Sequence, residues 1–212
     1  MIRHFTHLVV VGLSLSIVGC STPTNYDAFK ESRTASILVL PPVNDSIDTL
    51  ASYGYLSTIT QPLSEHGYYV FPVSVIDHFL KENGLPSPRE MHAIPLKKVK
   101  EVIGADAVMY ITIKEYGTRY MIFDSVTTVE ANIRLVDVVS GTELWKGKAY
   151  CRQSSSNGNS NLITIAVSQI VNTACDHAHT LSAAANQRAI ANQSHGLLYG
   201  PRHKLYMTDH KK

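Results

Sequence analysis

The sequence predicts an α/β domain with a mixed sheet of about five strands, a β-α-β start, an antiparallel hairpin and a long C-terminal amphipathic helix packed on the sheet. Three patterns support this prediction. A short apolar run, Ser36 to Leu40, ends at two prolines and precedes a segment of helical periodicity. Residues 129–135 alternate apolar and polar side chains, which is typical of a strand with one solvent-facing side. From Leu162 onward, apolar residues recur at helical spacing.

The first half of the domain is expected to contain the β-α-β unit and two short helices. Asp48 can cap a helix that runs to about residue 66. The apolar segment 68–71 is then predicted to form a strand parallel to the first, joined to it by a right-handed crossover. Helices are expected over residues 75–82 and 95–103, because each segment is followed by a glycine that can end it.

The second half is expected to form the antiparallel part of the sheet. Residues 107–113 are almost continuously apolar, as in a central strand buried on both faces. Gly117 is expected to mark a turn after this strand. The alternating strand 129–135 is followed by a hairpin turn at residues 140–141 and by a returning strand over 144–152.

The first twenty residues have the plan of a secretory signal peptide. Arg3 gives a basic start, and residues 8–18 form an apolar run too short to span a membrane, which takes about 20 residues. The stretch Ile-Val-Gly-Cys at 17–20 resembles the bacterial lipobox. This resemblance implies that residues 1–19 are removed and that Cys20 becomes S-diacylglycerylated and N-acylated. The alternative is a plain secretory signal with an incidental cysteine.

The chain is predicted to have four parts. Residues 1–19 form the lipoprotein signal peptide, residues 20–33 a flexible tether with a reach of about 20 Å, residues 34–190 the periplasmic α/β domain, and residues 191–212 a tail. The tail is expected to be mobile and basic, because it lacks apolar periodicity and carries Arg202, Lys204, Lys211 and Lys212 against Asp209.

Composition and motifs argue against several function classes. A net charge of +2 is too close to neutral for nucleic acid to be the main partner. The sequence contains neither a G-x-S-x-G elbow nor a glycine-rich phosphate loop. We therefore expect no enzymatic activity, no catalytic residues and no cofactor, with a hydrolase of unrecognised site as a remaining alternative.

The two cysteines other than Cys20 are Cys151, at a strand end, and Cys175, on the long helix. The oxidising periplasm favours a disulfide bond between them, worth roughly 3 kcal/mol, and the alternative is two buried thiols. A metal site at Cys175, His177 and His179 is not expected. His177 points away from the face that the other two share, and no second pair of ligands is apparent.

The eleven tyrosines suggest a surface that binds other proteins. Tyr116 and Tyr120 flank Gly117, and we expect them to form an exposed partner-binding patch. The alternative for any single tyrosine is a half-buried position in the sheet or in a helix.

Three segments resemble landmarks of a Gram-negative lipoprotein family of unassigned function, typified by a neisserial genome-derived antigen: residues 38–45, 105–113 and 136–145. The family's fold is similar to the N-terminal domain of TolB and to the periplasmic domain of the curli secretion lipoprotein. The resemblance covers roughly residues 36–185 and implies an envelope-complex component without catalytic residues. Ser21, where such lipoproteins carry Asp for inner-membrane retention, implies an outer-membrane anchor facing the periplasm.

Two functions are therefore expected from different classes. The first is a lipid-anchored outer-membrane lipoprotein that acts as a non-catalytic component of a periplasmic envelope assembly or secretion complex, binding other envelope proteins or itself. The alternative is a ligand-binding module whose basic tail, residues 191–212, engages anionic lipid or cell-wall polymer.

Overall fold

The computed structural model describes residues 25–120, 125–154 and 167–208, with only the backbone described for residues 167–176. The strands are β1 (Ser36–Val39), β2 (Val43–Asn44), β3 (Tyr69–Val70), β4 (Ala107–Tyr120), β5 (Ser125–Asp137) and β6 (Glu143–Ser154). The helices are α1 (Asp27–Ser32), α2 (Ala51–Glu65), α3 (Val73–Glu82), α4 (Pro88–His92), α5 (Leu96–Val102) and α6 (Val167–Ile190).

The strands form one mixed sheet of six strands in the order β3-β1-β4-β5-β6, with β2 paired to β4. Strand β1 runs parallel to both β3 and β4, as a β-α-β crossover requires. Strands β4, β5 and β6 then form an antiparallel meander. The predicted fold class is confirmed.

One face of the sheet is covered by helices α2 and α6, with contributions from α1 and the C-terminal segment. Their apolar residues pack against the inward side chains of β4, β5 and β6 in the larger hydrophobic core. The alternating pattern of β5 places its apolar side chains on this face. The buried residues are Val129, Ala131, Ile133 and Leu135. Trp145 of β6 joins the same core, and its indole N–H donates a 2.8 Å hydrogen bond to the carbonyl of His195.

The opposite face is covered over only part of its width. Helices α3, α4 and α5 enclose a smaller core against β1 and the start of β4, made by Leu38, Leu40, Ile76, Leu80, Met91, Val99 and Val108. No described element packs over the same face of β4, β5 and β6 beyond this point. The polar residues of these strands therefore face solvent.

The structure differs from the sequence prediction at Gly117. No turn forms there. Strand β4 continues to Tyr120 and pairs along its whole length with β5. Gly117 instead has a φ of 115°, which a side chain would disfavour, and sits opposite Thr128 within the hairpin. Helix α4 was also not predicted, although Ser87 and Glu90 form a capping box at its start.

The segment predicted as a tether is partly folded. Residues 27–32 form helix α1, and Phe29 is buried in the larger core. This contact could not be predicted from the sequence, because Phe29 stands among polar residues and a single apolar side chain shows no periodicity.

The prediction of a mobile tail is wrong for residues 191–208, which pack against the body. Leu197 and Leu198 are buried in the larger core. The imidazole Nε2–H of His66 donates to the carbonyl of Leu197 at 3.1 Å, and the hydroxyl of Tyr68 donates to that of Leu198 at 2.6 Å. The N–H of Gly200 donates to the carbonyl of His66 at 2.8 Å. Hydrogen bonds to the α2–β3 connection thus fix a segment that lacks an amphipathic pattern.

Candidate binding surface on the open face of the sheet

The structure separates the two tyrosines predicted to form an exposed patch. Tyr120 is 59% exposed, whereas Tyr116 is 9% exposed and belongs to the larger core. The register of β4 shifts between Ile113 and Glu115, which moves Tyr116 to the helix-covered face. Its hydroxyl lies so close to Gly54 of α2 that a Cβ there would meet it at 2.5 Å. The exposed pair therefore does not form.

The disulfide bond predicted between Cys151 and Cys175 finds no support. Cys151 is a free cysteine, and its sulfur accepts a 3.6 Å hydrogen bond from Nη1 of Arg188. Arg188 lies thirteen residues further along α6 than Cys175, a distance of about 20 Å. A disulfide needs Cα atoms within about 7 Å of each other. The side chain of Cys175 lies outside the described residues.

The other predicted features of the site are placed as follows. Cys20 lies outside the described residues, so its lipidation stays a prediction. Among the described residues, no three His, Cys, Asp or Glu side chains are grouped so that they could hold a metal ion. His179 instead forms a 3.0 Å hydrogen bond between its Nε2 and the hydroxyl of Ser57. No helix in the described ranges is long and apolar enough to cross a membrane.

The uncovered part of the sheet presents a surface that we call the open face. Its residues form three rows across β4, β5 and β6, in the register of the strands: Tyr110, Arg134 and Lys146; Thr112, Asn132 and Lys148; Glu115, Glu130 and Tyr150. Each row places side chains of neighbouring strands about 5 Å apart, so they interact directly.

Cations and aromatic rings alternate on the open face. The guanidinium of Arg134 lies 5.3 Å from the ring centroid of Tyr110, and the ammonium of Lys148 lies 5.7 Å from that of Tyr150. Lys148 also pairs with Glu130 at 2.7 Å. Lys146 forms no ion pair with any residue that the structure describes, and the nine residues of the open face carry three cations against two carboxylates.

A cleft of about 600 Å³ lies on the open face and reaches His92 at the end of α4. The Nε2–H of His92 donates to the carbonyl of Pro41 at 2.9 Å, and its ring meets Tyr110 edge to face at 5.3 Å. Burial lowers the pKa of His92, and the charges of Arg134 and Arg89 lower it further against the opposing effect of the Pro41 bond. The neutral imidazole thus serves as a fixed wall of the cleft.

This arrangement is suited to binding. Its groups are hydrogen-bond donors, cations and aromatic rings, which can hold carboxylates and planar groups. Sequence reasoning described Glu130, Asn132 and Arg134 as one solvent-facing side of a strand but did not identify it as a site. The sequence did contain a signal for this site. Lys146, Lys148 and Tyr150 alternate along the next strand in the same way, so the two polar sides could be expected to lie next to each other.

A second concave surface lies between helices α3, α4 and α5. This groove has a volume of about 460 Å³ and an almost entirely apolar lining that includes Phe79, Leu85, Ile94, Val99 and Val102. The groove offers few polar groups to orient a ligand. The charged and polar side chains of the open face indicate the chemistry of a partner more specifically.

Comparison with known proteins identifies the family. The sequence profile of the family described as "Putative lipoprotein GNA1162-like" matches residues 24–202. The chain is 45% identical over 198 residues to "Putative lipoprotein NMB1124/NMB1162" of Neisseria meningitidis serogroup B, covering 91% of this chain and 92% of that protein.

One solved structure gives the same result. The crystal structure of lipoprotein GNA1162 from Neisseria meningitidis is similar with a TM-score of 0.55 and 50% identity, covering 66% of this chain and 96% of that one. The PelC dodecamer from Paraburkholderia phytofirmans gives a TM-score of 0.45 at 15% identity, over 73% of this chain and 86% of that one, which is too low to support an inference. The family match and the close neisserial relative together show that this chain belongs to the GNA1162-like lipoprotein family.

Proposed function

We propose that this chain is a lipid-anchored outer-membrane lipoprotein that serves as a non-catalytic component of a periplasmic envelope assembly or secretion complex. Membership of a lipoprotein family and the lipobox-like stretch ending at Cys20 support the anchor. Three acyl chains on one residue attach a protein far more durably than one chain does. The domain is thereby kept at the membrane surface, where it binds a partner protein.

The open face is the observation that carries this proposal. Helices α2 and α6 cover one side of the six-stranded sheet. On the other side, α3, α4 and α5 cover β1 and the start of β4. Only the outer side of β4, β5 and β6 is left without a covering layer among the described residues. Tyrosine and arginine, which this face presents at Tyr110, Tyr150 and Arg134, are enriched at protein interfaces.

The charge of the open face indicates the chemistry of the partner. The open face carries three cations against the two carboxylates of Glu115 and Glu130. Of these cations, Lys146 forms no ion pair within the described residues. A partner with an acidic surface would supply the missing carboxylates and would be steered toward this face.

Site-specific photo-crosslinking in intact cells tests the proposal. A photoreactive amino acid is placed at Asn132, on the open face, and for comparison at Gln61, an exposed position on α2. The expected result is a defined protein adduct from position 132 that position 61 does not give. Reversing the charges with Lys146→Glu and Lys148→Glu should reduce the yield of this adduct, because the partner surface is acidic.

The lipid anchor is tested in the same cells by intact mass. The purified wild-type protein should carry the mass of a diacylglyceryl group and an acyl chain and should lack residues 1–19, whereas Cys20→Ala should carry neither lipid. A wild-type protein without lipid would refute the anchor. Equal adducts at positions 132 and 61, or a yield that the charge reversals leave unchanged, would refute the role of the open face.

A further inference from the structure

Helix α1 and the C-terminal segment lie side by side at one edge of the domain. The hydroxyl of Tyr26 donates a 2.6 Å hydrogen bond to the carbonyl of Gly196. Further along, a small cleft between the two segments is lined from both sides by Phe29, Arg33, Tyr206 and Met207. The two ends of the described chain thus form one continuous surface, which we call the terminal edge and define as residues 26–33 and 200–208.

The predicted anchor restricts where the terminal edge can lie. Six residues lead from Cys20 to Tyr26, and a fully extended chain of this length spans about 20 Å. A lipid on Cys20 therefore keeps Tyr26 within about 20 Å of the membrane surface. Because the Tyr26 hydroxyl bonds the carbonyl of Gly196, and Phe29 and Arg33 share a cleft with Met207, the C-terminal segment is held near the membrane as well.

The C-terminal part of the terminal edge exposes apolar and basic side chains together. Leu205 and Met207 are 41% and 56% exposed, and Arg202 and Lys204 are exposed beside them. Turn hydrogen bonds fix this arrangement, because the N–H of Thr208 donates to the carbonyl of Leu205 at 3.0 Å. Cations next to exposed apolar groups are the combination by which proteins bind a membrane interface.

Helix α1 adds further positive charge to the same edge. The described residues of the terminal edge contain four cations, at Lys30, Arg33, Arg202 and Lys204, against two carboxylates, at Asp27 and Glu31. Arg202 is also held in place, since its guanidinium lies 5.3 Å from the ring centroid of Tyr69. The excess of positive charge attracts the phosphates of an anionic leaflet.

We propose that the terminal edge lies against the phospholipid leaflet that holds the Cys20 lipid. Arg202 and Lys204 bind the phosphates of anionic phospholipids, and Leu205 and Met207 enter the interface between headgroups and acyl chains. This inference rests on the lipid anchor of the proposed function. It adds that the folded domain has a fixed orientation on the membrane instead of hanging freely from a tether.

Amide hydrogen exchange of the mature, acylated protein in vesicles tests the orientation. One set of vesicles contains phosphatidylethanolamine with phosphatidylglycerol, and the other contains phosphatidylcholine alone. A basic residue near an anionic leaflet favours contact by about fivefold. We therefore expect amides of residues 202–208 to exchange at least about fivefold more slowly in the anionic vesicles, with the difference shrinking at high salt.

Matched variants separate this contact from general charge effects. Arg202→Glu with Lys204→Glu should remove the difference between the two vesicle types. Lys97→Glu with Lys98→Glu, two exposed lysines on α5, should retain it. Unchanged unfolding midpoints would establish that both double variants are folded.

Three outcomes would overturn the inference: equal exchange in the two vesicle types, equal loss in both double variants, or protection that depends on added cell-wall polymer and not on phosphatidylglycerol. If the vesicle-dependent protection fails while the adduct at Asn132 persists, only the orientation is refuted. If the purified protein carries no lipid, the anchor itself fails, and with it both proposals.

Discussion

The two faces of strand β5 show how one segment can serve two purposes. Val129, Ala131, Ile133 and Leu135 point toward α2 and α6, and none of them is more than 2% exposed. Between them lie Glu130, Asn132 and Arg134, which belong to the open face. Because side chains alternate along a strand, the residues that stabilise the fold and those available for binding are neighbours in sequence. Substitutions one position apart should therefore have very different effects.

The covered face also contains a polar network, which makes it more than an apolar layer. The hydroxyl of Tyr55 donates to Oδ1 of Asn186, and Nδ2 of Asn186 donates to Oγ1 of Thr58 at 3.0 Å. Thr58 and Ser182 share a further hydrogen bond of 2.8 Å. Burial raises the pKa of Tyr55, so its hydroxyl stays protonated and remains a donor. This network fixes how α6 sits on α2.

The largest expected effect comes from Trp145→Ala on the covered face. The substitution removes a buried aromatic ring and its hydrogen bond to His195, and should lower the free energy of unfolding by about 3–5 kcal/mol. The control is Lys146→Ala, the next residue, whose side chain lies on the open face. It should change stability by less than about 0.5 kcal/mol. Urea denaturation of both variants measures the difference, and similar losses would contradict the two-face comparison.

A smaller loss is expected from Asn186→Leu. This variant leaves the Tyr55 hydroxyl without its buried partner, at a cost of about 1–3 kcal/mol, whereas the Thr58 hydroxyl keeps its hydrogen bond to Ser182. Asn132→Leu is the matched control, because it changes the same residue type on the open face. Thermal unfolding should show a clear decrease only for Asn186→Leu. A decrease of equal size in the control would mean that the open face is covered in solution.

His92 allows a test by pH at the border of the open face. Burial lowers its pKa below the ordinary 6.5, so the unfolded chain binds a proton more readily than the folded one as the pH falls. The stability that depends on neutral His92 is therefore present above pH 6.5 and is lost as the pH falls from 6.5 through the folded pKa. His92→Gln should flatten the dependence of the unfolding free energy on pH in this range.

A matched histidine makes the pH test specific. His78→Gln removes an exposed histidine on α3 and is measured over the same pH range for comparison. If His92→Gln follows the wild type, His92 does not act as a buried wall of the cleft.

The smallest effect is expected from Lys148→Ala on the open face. Its ion pair with Glu130 is short, at 2.7 Å, but the lysine side chain is 56% exposed. Exposed pairs of this kind contribute less than about 1 kcal/mol, and salt screens them. Chemical denaturation at low and high salt measures this contribution. A loss comparable to that of Trp145→Ala would show that the open face is structural.

Much of the fold could be predicted because it follows from patterns of neighbouring residues. The alternation over 129–135, the prolines after β1 and the apolar spacing of the last helix each depend on residues a few positions apart. The direction of the side chains could not be predicted where the strand register shifts. The extra residue between Ile113 and Glu115 in β4 reverses which side chains point inward, and nothing in the sequence marks it.

The position of the C-terminal segment and the distance between the cysteines depended on contacts between distant segments. The carbonyls of Leu197 and Leu198 accept hydrogen bonds from His66 and Tyr68, about 130 positions earlier in the chain. No local periodicity predicts such a contact. The separation of Cys151 from Cys175 follows from where α6 lies along β6, which spacing in the sequence does not reveal.

By itself, the sequence determined the lipobox-like signal, the fold class and the two alternating faces of the central strands, because hydrophobic periodicity is a property of neighbouring residues. The tertiary structure alone decided which parts of the chain cover the apolar face, that Tyr116 is buried, and that the C-terminal segment joins α1 in one basic edge. Covering a face requires another part of the chain to pack against it, and only the folded chain specifies which part does so.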